Sequence, residues 1–213
     1  MIVVVGGIKG GSGKSTVATN LAVMCATEKQ DVLLIDSDDQ EIASDFSILR
    51  NETQQEQSAY TCIKLTGSAV RTETLRLANK YETIIIDTGG RDTASQRAAL
   101  SVADILLVPF VPRSFDVWTL EKVGSLVSEI KTINPHLIAY TFINRADPKG
   151  QDNDDAAEVL KETDALTFLN APLGMRKAFS NAAAMGLSVT ELKVKDQKAI
   201  SEITTLFECV FKV

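Results

Sequence analysis

The sequence predicts an α/β fold in which a mostly parallel sheet is flanked by helices on both faces. Short runs rich in Val, Ile and Leu alternate with stretches of helical spacing, which is typical of a sheet covered by helices. A glycine-rich turn follows the first apolar run, and two later runs end in aspartates, where ligands bind in such sheets. With 213 residues, 45% of them hydrophobic, the chain has the size of one globular domain, and we expect a single domain over 1–213.

The elements are predicted in chain order from these patterns. Continuous apolar runs suit buried strands, and we expect strands at 2–5, Val32–Ile35, Thr83–Ile86, Asp104–Val108 and Leu137–Ile143. Helical spacing predicts helices over 15–25, 41–50, 71–80, 94–102, 117–131 and 196–212. The polar stretches 51–58 and 147–155 are expected to be surface loops or frayed helix ends.

Composition excludes several classes of protein. A net charge of −6 argues against a protein coated with nucleic acid, although it does not exclude a local basic patch. Cys25, Cys62 and Cys209 are far apart, which favours reduced thiols in a cytoplasmic protein. His136 is alone, so a His/Cys metal site has no support. No apolar run approaches 18 residues and the first residues form a strand pattern, so we expect neither membrane insertion nor a signal peptide.

A phosphate-binding loop (P-loop) follows the first predicted strand and precedes the first predicted helix. Glycine N–H groups in such a loop converge on a phosphate chain, and the following helix N-terminus adds donors and a positive dipole end. Lys14 is expected to reach the β- and γ-phosphates, and the Ser15 hydroxyl to hold Mg²⁺. The residues predicted to bind the nucleotide are Gly10, Gly11, Ser12, Gly13, Lys14, Ser15 and Thr16. The sequence therefore predicts a protein that binds a nucleoside triphosphate.

Two predicted strands end in aspartates. Asp87 follows Thr83–Ile86, and an acid in that position faces the Mg²⁺ of a bound nucleotide, usually through water. Asp36 and Asp38 follow Val32–Ile35. Because the carboxyl ends of parallel strands share one edge, we expect these acids near the P-loop.

The loop Lys9-Gly10-Gly11-Ser12-Gly13-Lys14-Ser15 resembles the deviant Walker A loop of the ParA/MinD family of ATPases. The position that holds glycine in the ordinary pattern is Ile8 here, and Lys9 follows it. In the family the early lysine reaches across a dimer interface to the partner's nucleotide. The resemblance implies a P-loop ATPase that forms a sandwich homodimer with ATP and hydrolyses it weakly, with Mg²⁺, unless stimulated. Lys9 and Lys14 would then stabilise charge on the transferring phosphoryl group.

Further segments extend this resemblance. Asp36-Ser37-Asp38 is similar to the family's Walker A′ motif, which implies that Asp38 orients the attacking water and that Asp36 supports the metal or the switch loop. Asp39 and Gly89 stand where the family commonly has proline. Asn144 ends a strand where the family has an asparagine that contacts adenine, although a strand-end turn residue is an equal interpretation.

Three functions share such a site. A ParA-like partition ATPase would bind DNA without sequence preference and respond to a centromere-binding, ParB-like partner, on the nucleoid in the cytoplasm. Only eight residues precede Lys9, so we expect no N-terminal helix-turn-helix domain, and DNA contacts would fall to basic residues of the dimer face. The candidates are Arg176, Lys177, Lys193, Lys195 and Lys198, although any one of them also suits an ordinary solvated surface.

The two alternatives are a MinD-like membrane-associated positioning ATPase and a metabolic ATP-dependent ligase of the same fold. The first needs an amphipathic C-terminal helix with a basic face, but the apolar stripe in 196–212 fits core packing better because acids interrupt it. The second needs a substrate pocket beside the γ-phosphate, for which no second group of residues is evident. We expect partition of plasmid or chromosomal DNA.

Overall fold

The computed structural model describes residues 1–54, 60–112, 117–148 and 151–212. The strands are β1 (Ile2–Val5), β2 (Val32–Ser37), β3 (Tyr60–Lys64), β4 (Thr83–Thr88), β5 (Ile105–Phe110), β6 (Ile138–Ala146), β7 (Thr167–Phe168) and β8 (Leu173–Gly174). The helices are α1 (Lys14–Thr27), α2 (Ile42–Thr53), α3 (Ala69–Leu77), α4 (Ala94–Leu100), α5 (Val117–Lys131), α6 (Asp152–Lys161), α7 (Lys177–Ala183) and α8 (Gln197–Phe211). A 3₁₀ turn covers Val189–Glu191.

The described strands form one parallel sheet in the order β3-β2-β4-β1-β5-β6-β7, with β8 paired to the end of β6. The chain order reverses between β4 and β5, on either side of β1, and in such sheets the crevice at this reversal binds ligands. The loop after β1 lies there. Asp36 and Asp87 are aligned partners on the neighbouring strands β2 and β4, so the topology alone brings both acids to the P-loop.

A hydrophobic layer covers each face of the sheet. One layer packs alternate strand residues such as Val3 and Leu34 against α1, α7 and α8. The other packs Val4 and Leu33, which point the opposite way, against α3, α4, α5 and α6. Strands buried on both faces explain the continuous apolar runs of the sequence, and the predicted parallel α/β fold is confirmed.

The prediction has no counterpart for β7, β8, α6 and α7, and the ends of several other elements differ by a few residues. The prediction misses β3, which lies at the edge of the sheet, pairs only with β2, and has half-buried and exposed residues that interrupt its apolar pattern. Helix α2 continues to Thr53, so the polar stretch 51–58 starts as a helix end, one of its two predicted interpretations, and 55–58 lie outside the described residues. Helix α6 begins at Asp152, so the polar stretch 147–155, predicted as a surface loop or frayed helix end, contains a helix start, which three acids in the first turn favour.

The last helix packs as the sequence predicts. In α8, Ile203, Leu206, Phe207 and Val210 are buried in the layer that α1 also contributes to. Its apolar face is therefore used by the core and is not available to a membrane surface. Among the described residues, no helix is both long enough and apolar enough to span a bilayer.

Candidate nucleotide-binding site

The loop between β1 and α1 has the backbone conformation of a phosphate cradle. Gly11 and Gly13 have φ of 74° and 90°, in the left-handed region that side chains disfavour. Gly13 precedes α1 and no side chain caps that helix, so its first N–H groups have no intrahelical partner and are open to an anion. The backbone conformation therefore favours glycine at these two positions.

The two lysines of the loop have different environments. Lys14 is 5% exposed, and its Nζ donates to the Lys9 carbonyl oxygen at 2.8 Å. Burial lowers the pKa of Lys14, while Asp87 and Asp38 act in the opposite direction. Lys9 is exposed. The loop thus turns one amine inward toward the aspartates and leaves the other at the surface.

Asp87 is fully buried at the carboxyl end of β4. No hydrogen bond to the described residues satisfies either of its carboxylate oxygens. Burial raises the pKa of Asp87 to about 7, and the charges of Asp36 and Asp38 act in the same direction, against Ser15 and Lys14. A buried carboxylate without a partner is costly unless a cation completes it. Asp87 with the Ser15 hydroxyl therefore fits Mg²⁺, which needs few protein ligands beside nucleotide phosphates.

Asp36 is fully buried but has partners. Its Oδ1 accepts from the Asp38 backbone N–H at 3.1 Å, and its Oδ2 accepts from the Ser44 N–H at 2.8 Å. These bonds fix the turn after β2 and the first turn of α2. Of the two roles that the family resemblance implies for Asp36, support of the switch loop has the clearer geometry.

The half-buried Asp38 lies against the loop after β4. Its Oδ1 accepts from the Gln40 N–H at 3.2 Å, and an added Cβ on Gly89 would lie 3.2 Å from the same oxygen. The residue in the family's proline position thus touches the acid predicted to orient water. Asp39 is exposed beside it and lines a cavity over the P-loop.

Gly90 brings this second loop against the P-loop. An added Cβ there would lie 2.5 Å from the Gly10 nitrogen and 2.8 Å from the Lys9 carbonyl carbon, which no backbone could accept without moving. The two loops that would surround the γ-phosphate are therefore in direct backbone contact, and only glycine at position 90 permits it.

Gln96 connects the same loops from α4. We assign its amide with the nitrogen toward three oxygens, because in that orientation it donates to the Gly7 carbonyl at 3.0 Å, the Thr88 hydroxyl at 3.1 Å and the Gly89 carbonyl at 3.3 Å. The Thr88 hydroxyl in turn donates to the Val5 carbonyl at 3.2 Å. Gln96 is buried, so these bonds hold β1, the P-loop and the β4 loop together.

Two cavities meet at the P-loop. The first, of about 620 Å³, lies over Lys14, Ser15, Asp38 and Gly90, and we call it the phosphate cavity. The second, of about 500 Å³, has a mostly apolar lining and runs beside β8 and α7, and we call it the nucleoside cavity. Its size and lining suit a base. Their adjacency matches the shape of a nucleotide.

Asn144 stands in the wall of the nucleoside cavity, where the resemblance predicts an adenine contact. It is buried, and its Nδ2 donates to the Ser12 carbonyl oxygen at 2.6 Å. An added Cβ on Gly13 would lie 2.4 Å from the same nitrogen. In this structure the amide therefore supports the P-loop, and its contact with a base stays a prediction.

The structure brings together most of the predicted site. Thr16 lines both cavities, and Ser12 is buried under the loop. Of the predicted DNA contacts, Arg176 and Lys177 line the nucleoside cavity and the other three line neither cavity. Arg176 is held by Glu202, with Nε donating to Oε2 at 2.9 Å, so the geometry does not favour it as a DNA contact. Lys177 borders the nucleoside cavity, and Lys195 donates to the Thr190 carbonyl. Lys193 and Lys198 are exposed.

Sequence reasoning missed Gln96, Arg145 and the contact made by Gly90. A contact between Gly90 and Gly10, 80 positions apart, has no local signature. Arg145 lines both cavities and has a left-handed backbone, φ 54°. Its place directly after Asn144 at a strand end was the one signal in the sequence.

Comparisons with known proteins agree with this geometry. A family model described as the CobQ/CobB/MinD/ParA nucleotide-binding domain matches residues 3–189. Two curated proteins named "Maintenance of carboxysome distribution protein A" are similar along most of the chain. That of Gloeobacter kilaueensis is 31% identical over 193 residues, which cover 89% of this chain and 84% of the relative. That of Halothiobacillus neapolitanus is 24% identical over 204 residues, which cover 95% and 92%.

Solved structures share the fold at lower identity. The ATP complex of the Cyanothece protein McdA has a TM-score of 0.82 at 16% identity, covering 100% of this chain and 96% of that one. A plasmid partition protein of Borrelia burgdorferi bound to AMPPNP has a TM-score of 0.77 at 20% identity, covering 100% and 99%. At these identities the likeness concerns the fold alone.

Proposed function

The chain belongs to the CobQ/CobB/MinD/ParA nucleotide-binding family, and we propose that it is a Mg²⁺-dependent ATPase that acts as an ATP-dependent dimeric switch in DNA partition. In this proposal ATP closes two copies over two nucleotides, the dimer binds DNA without sequence preference, and a ParB-like centromere-binding partner stimulates hydrolysis. The protein would then act on the nucleoid in the cytoplasm.

The proposal rests on one observation, that two lysines of the same loop differ in burial. Lys14 is buried beside Asp87, which suits an amine that binds the phosphates of its own nucleotide. Lys9 is exposed five residues earlier, at the rim of the same cradle. A second amine that a partner's phosphates can reach is what a sandwich dimer requires.

Hydrolysis can be written with the residues around the phosphate cavity. Water attacks the γ-phosphorus, the bond to the β,γ-bridging oxygen breaks, and ADP and inorganic phosphate leave. Asp38 would orient this water, since its carboxylate is exposed to the cavity and is positioned by the Gln40 N–H. Ser15 and Asp87 would hold Mg²⁺, which neutralises phosphate charge when bound. Lys14 and Lys9 would stabilise the charge that develops on the oxygens.

The contact between the β4 loop and the P-loop supports a switch. Gly90 touches the Gly10 backbone, and Gln96 bonds to both loops. A displacement of the loops at the γ-phosphate would therefore be transmitted to the start of α4. Transitions of this kind use small shifts at a nucleotide to move a packed element.

A second candidate differs only in the cargo. The similarity to two proteins named for carboxysome distribution, one at 31% identity, favours an ATPase that positions a protein compartment instead of DNA. In that case the nucleotide switch is unchanged, and the stimulating partner is an adaptor on the cargo that binds no centromere.

A retention experiment separates the candidate classes. The protein is passed over immobilised non-specific DNA in low salt with ATP, ADP or no nucleotide, and over vesicles containing anionic lipid. The proposal predicts DNA retention with ATP alone and no flotation with vesicles. Retention without nucleotide or none in any state contradicts it, and flotation would favour a membrane-associated positioning ATPase.

The cargo is decided in cells. Deletion of the coding sequence followed by a plasmid-loss assay is predicted to raise loss per generation. Normal plasmid inheritance together with clustered protein compartments would contradict partition and support the second candidate.

A further inference from the structure

Arg145 occupies the junction between the two cavities of the candidate site. Besides Gly13 and Thr16, it is the described residue that lines both the phosphate cavity and the nucleoside cavity. A nucleotide with its base in one cavity and its phosphates in the other must pass these three residues. The part that passes is the ribose and the α-phosphate.

The backbone at this point departs from a regular strand. The pairing of β6 with β8 shifts register between Asn144 and Ala146, which makes a β-bulge at Arg145. Arg145 itself has φ 54°, a left-handed conformation that is uncommon for residues other than glycine. Bulges of this kind often re-aim a side chain beside an active site.

The bulge changes which side chains meet the cavity. In a regular strand successive side chains point to opposite faces of the sheet. Here Asn144 and Arg145 are consecutive, yet both line the nucleoside cavity. The irregular backbone therefore brings Arg145 to a wall that a straight strand would supply with Asn144 alone. Left-handed backbone at a non-glycine residue costs free energy and is concentrated at functional sites.

Acids lie near the junction, since Asp38 lines the phosphate cavity and Asp147 lines a further cavity that Arg145 also lines. No hydrogen bond or ion pair to the residues in the described ranges holds the Arg145 guanidinium. The other arginine of the nucleoside cavity, Arg176, is neutralised by Glu202. Arginine keeps its charge at any ordinary pH and binds phosphate oxygens through two parallel N–H donors.

We infer that Arg145 binds the α-phosphate of the nucleotide, opposite Thr16, and so clamps the junction of nucleoside and phosphates. This rests on the proposed function as a nucleotide-binding switch and adds a residue to its site. The contact needs no γ-phosphate. It therefore contributes equally to the binding of ATP and ADP, unlike the contacts of Asp38 and Lys9.

The test is direct binding of methylanthraniloyl-labelled ADP and ATP to the full chain in the presence of Mg²⁺. Arg145→Ala is expected to weaken both nucleotides by about tenfold to a hundredfold, the value of a charge-assisted hydrogen bond. Arg145→Lys, which keeps the charge but not the two-pronged donor, is expected to lose less. The matched control is Arg71→Ala on α3, an exposed arginine that lines neither cavity, and it is expected to bind like wild type.

A second variant separates the side chain from the backbone. Arg145→Gly accepts the left-handed conformation without strain, so a purely structural role predicts normal binding for Arg145→Gly and weak binding for Arg145→Ala. The inference predicts that both lose affinity while thermal unfolding of Arg145→Gly stays at or above that of wild type.

The outcomes distinguish this inference from the proposed function. If wild type binds, Lys14→Ala does not, and all Arg145 variants bind like wild type, the inference is wrong and the proposed function stands. A loss for ATP without a loss for ADP would place the arginine at the γ-phosphate and also overturns it. If wild type binds neither nucleotide, both fail.

Discussion

Replacement of Asp87 by Asn tests the electrostatics of the site. In the folded, nucleotide-free protein the pKa of Asp87 is raised from 3.8 to about 7, chiefly by burial. The folded state therefore retains a proton that the unfolded chain releases as pH rises above about 4. Because the unfolded state binds fewer protons in this window, the free energy of unfolding falls from about pH 4 to about pH 7 and is level above it.

The size of the effect follows from the same two values. The window spans about three pH units, each of which corresponds to about 1.4 kcal/mol, so ionised Asp87 costs up to ~4 kcal/mol of stability. Asp87→Asn removes this cost. It also removes the attraction of Asp87 for Lys14, so ~4 kcal/mol is an upper limit.

The assay is urea unfolding of the nucleotide-free protein at pH 4.5 to 8, for wild type, Asp87→Asn and Asp31→Asn, which removes an exposed acid at the start of β2. This pH range covers most of the interval in which the unfolded chain binds fewer protons than the folded protein. The advantage of Asp87→Asn over wild type is expected to grow with pH and then level off, while Asp31→Asn follows wild type. In Mg²⁺ and ATP the order reverses, because only wild type gains a cation ligand. A constant difference across the pH range would refute the assigned burial cost.

Gly90→Ala is expected to lower the free energy of unfolding by about 1–3 kcal/mol because its Cβ would overlap the Gly10 backbone. The control, Gly124→Ala in α5, has room for a Cβ and is expected to raise the free energy of unfolding by about 0.5–1 kcal/mol. Equal urea midpoints for the two variants would contradict the packing argument. Lys14→Ala is expected to abolish nucleotide binding by calorimetry with the fold retained by circular dichroism, and residual micromolar binding would show that the loop is not the main phosphate contact. Retention on DNA is expected to fall steeply with salt, as counterion release requires, and a flat salt dependence would argue against phosphate contacts.

The local parts of the site were predictable from sequence. Gly13, Lys14 and Ser15 form a contiguous motif whose spacing dictates its conformation, and Asp87 follows an apolar run that buried parallel strands produce. The register of β2 with β4 then places Asp36 beside Asp87. These patterns are sufficient to predict a sheet that is covered on both faces.

The remaining features depend on contacts between distant segments. Strand β3 has no clean alternation because it is an edge strand, and its pairing to β2 alone makes it a strand. The aim of Arg145 depends on a bulge that arises where β8 joins β6. The Asn144 bond to the Ser12 carbonyl joins residues 132 positions apart. Side-chain direction at such points is a property of the packed structure and not of the local sequence.

Sedimentation velocity tests whether ATP joins two copies through the exposed lysine of the loop. Wild type and Lys9→Ala are compared with no nucleotide, with ADP, and with a slowly hydrolysed ATP analogue, all with Mg²⁺. We expect a monomer in every state except wild type with the analogue, which sediments as a dimer, while Lys9→Ala still binds nucleotide. A single species of wild type in all three states, or an unchanged dimer of Lys9→Ala, would contradict this expectation.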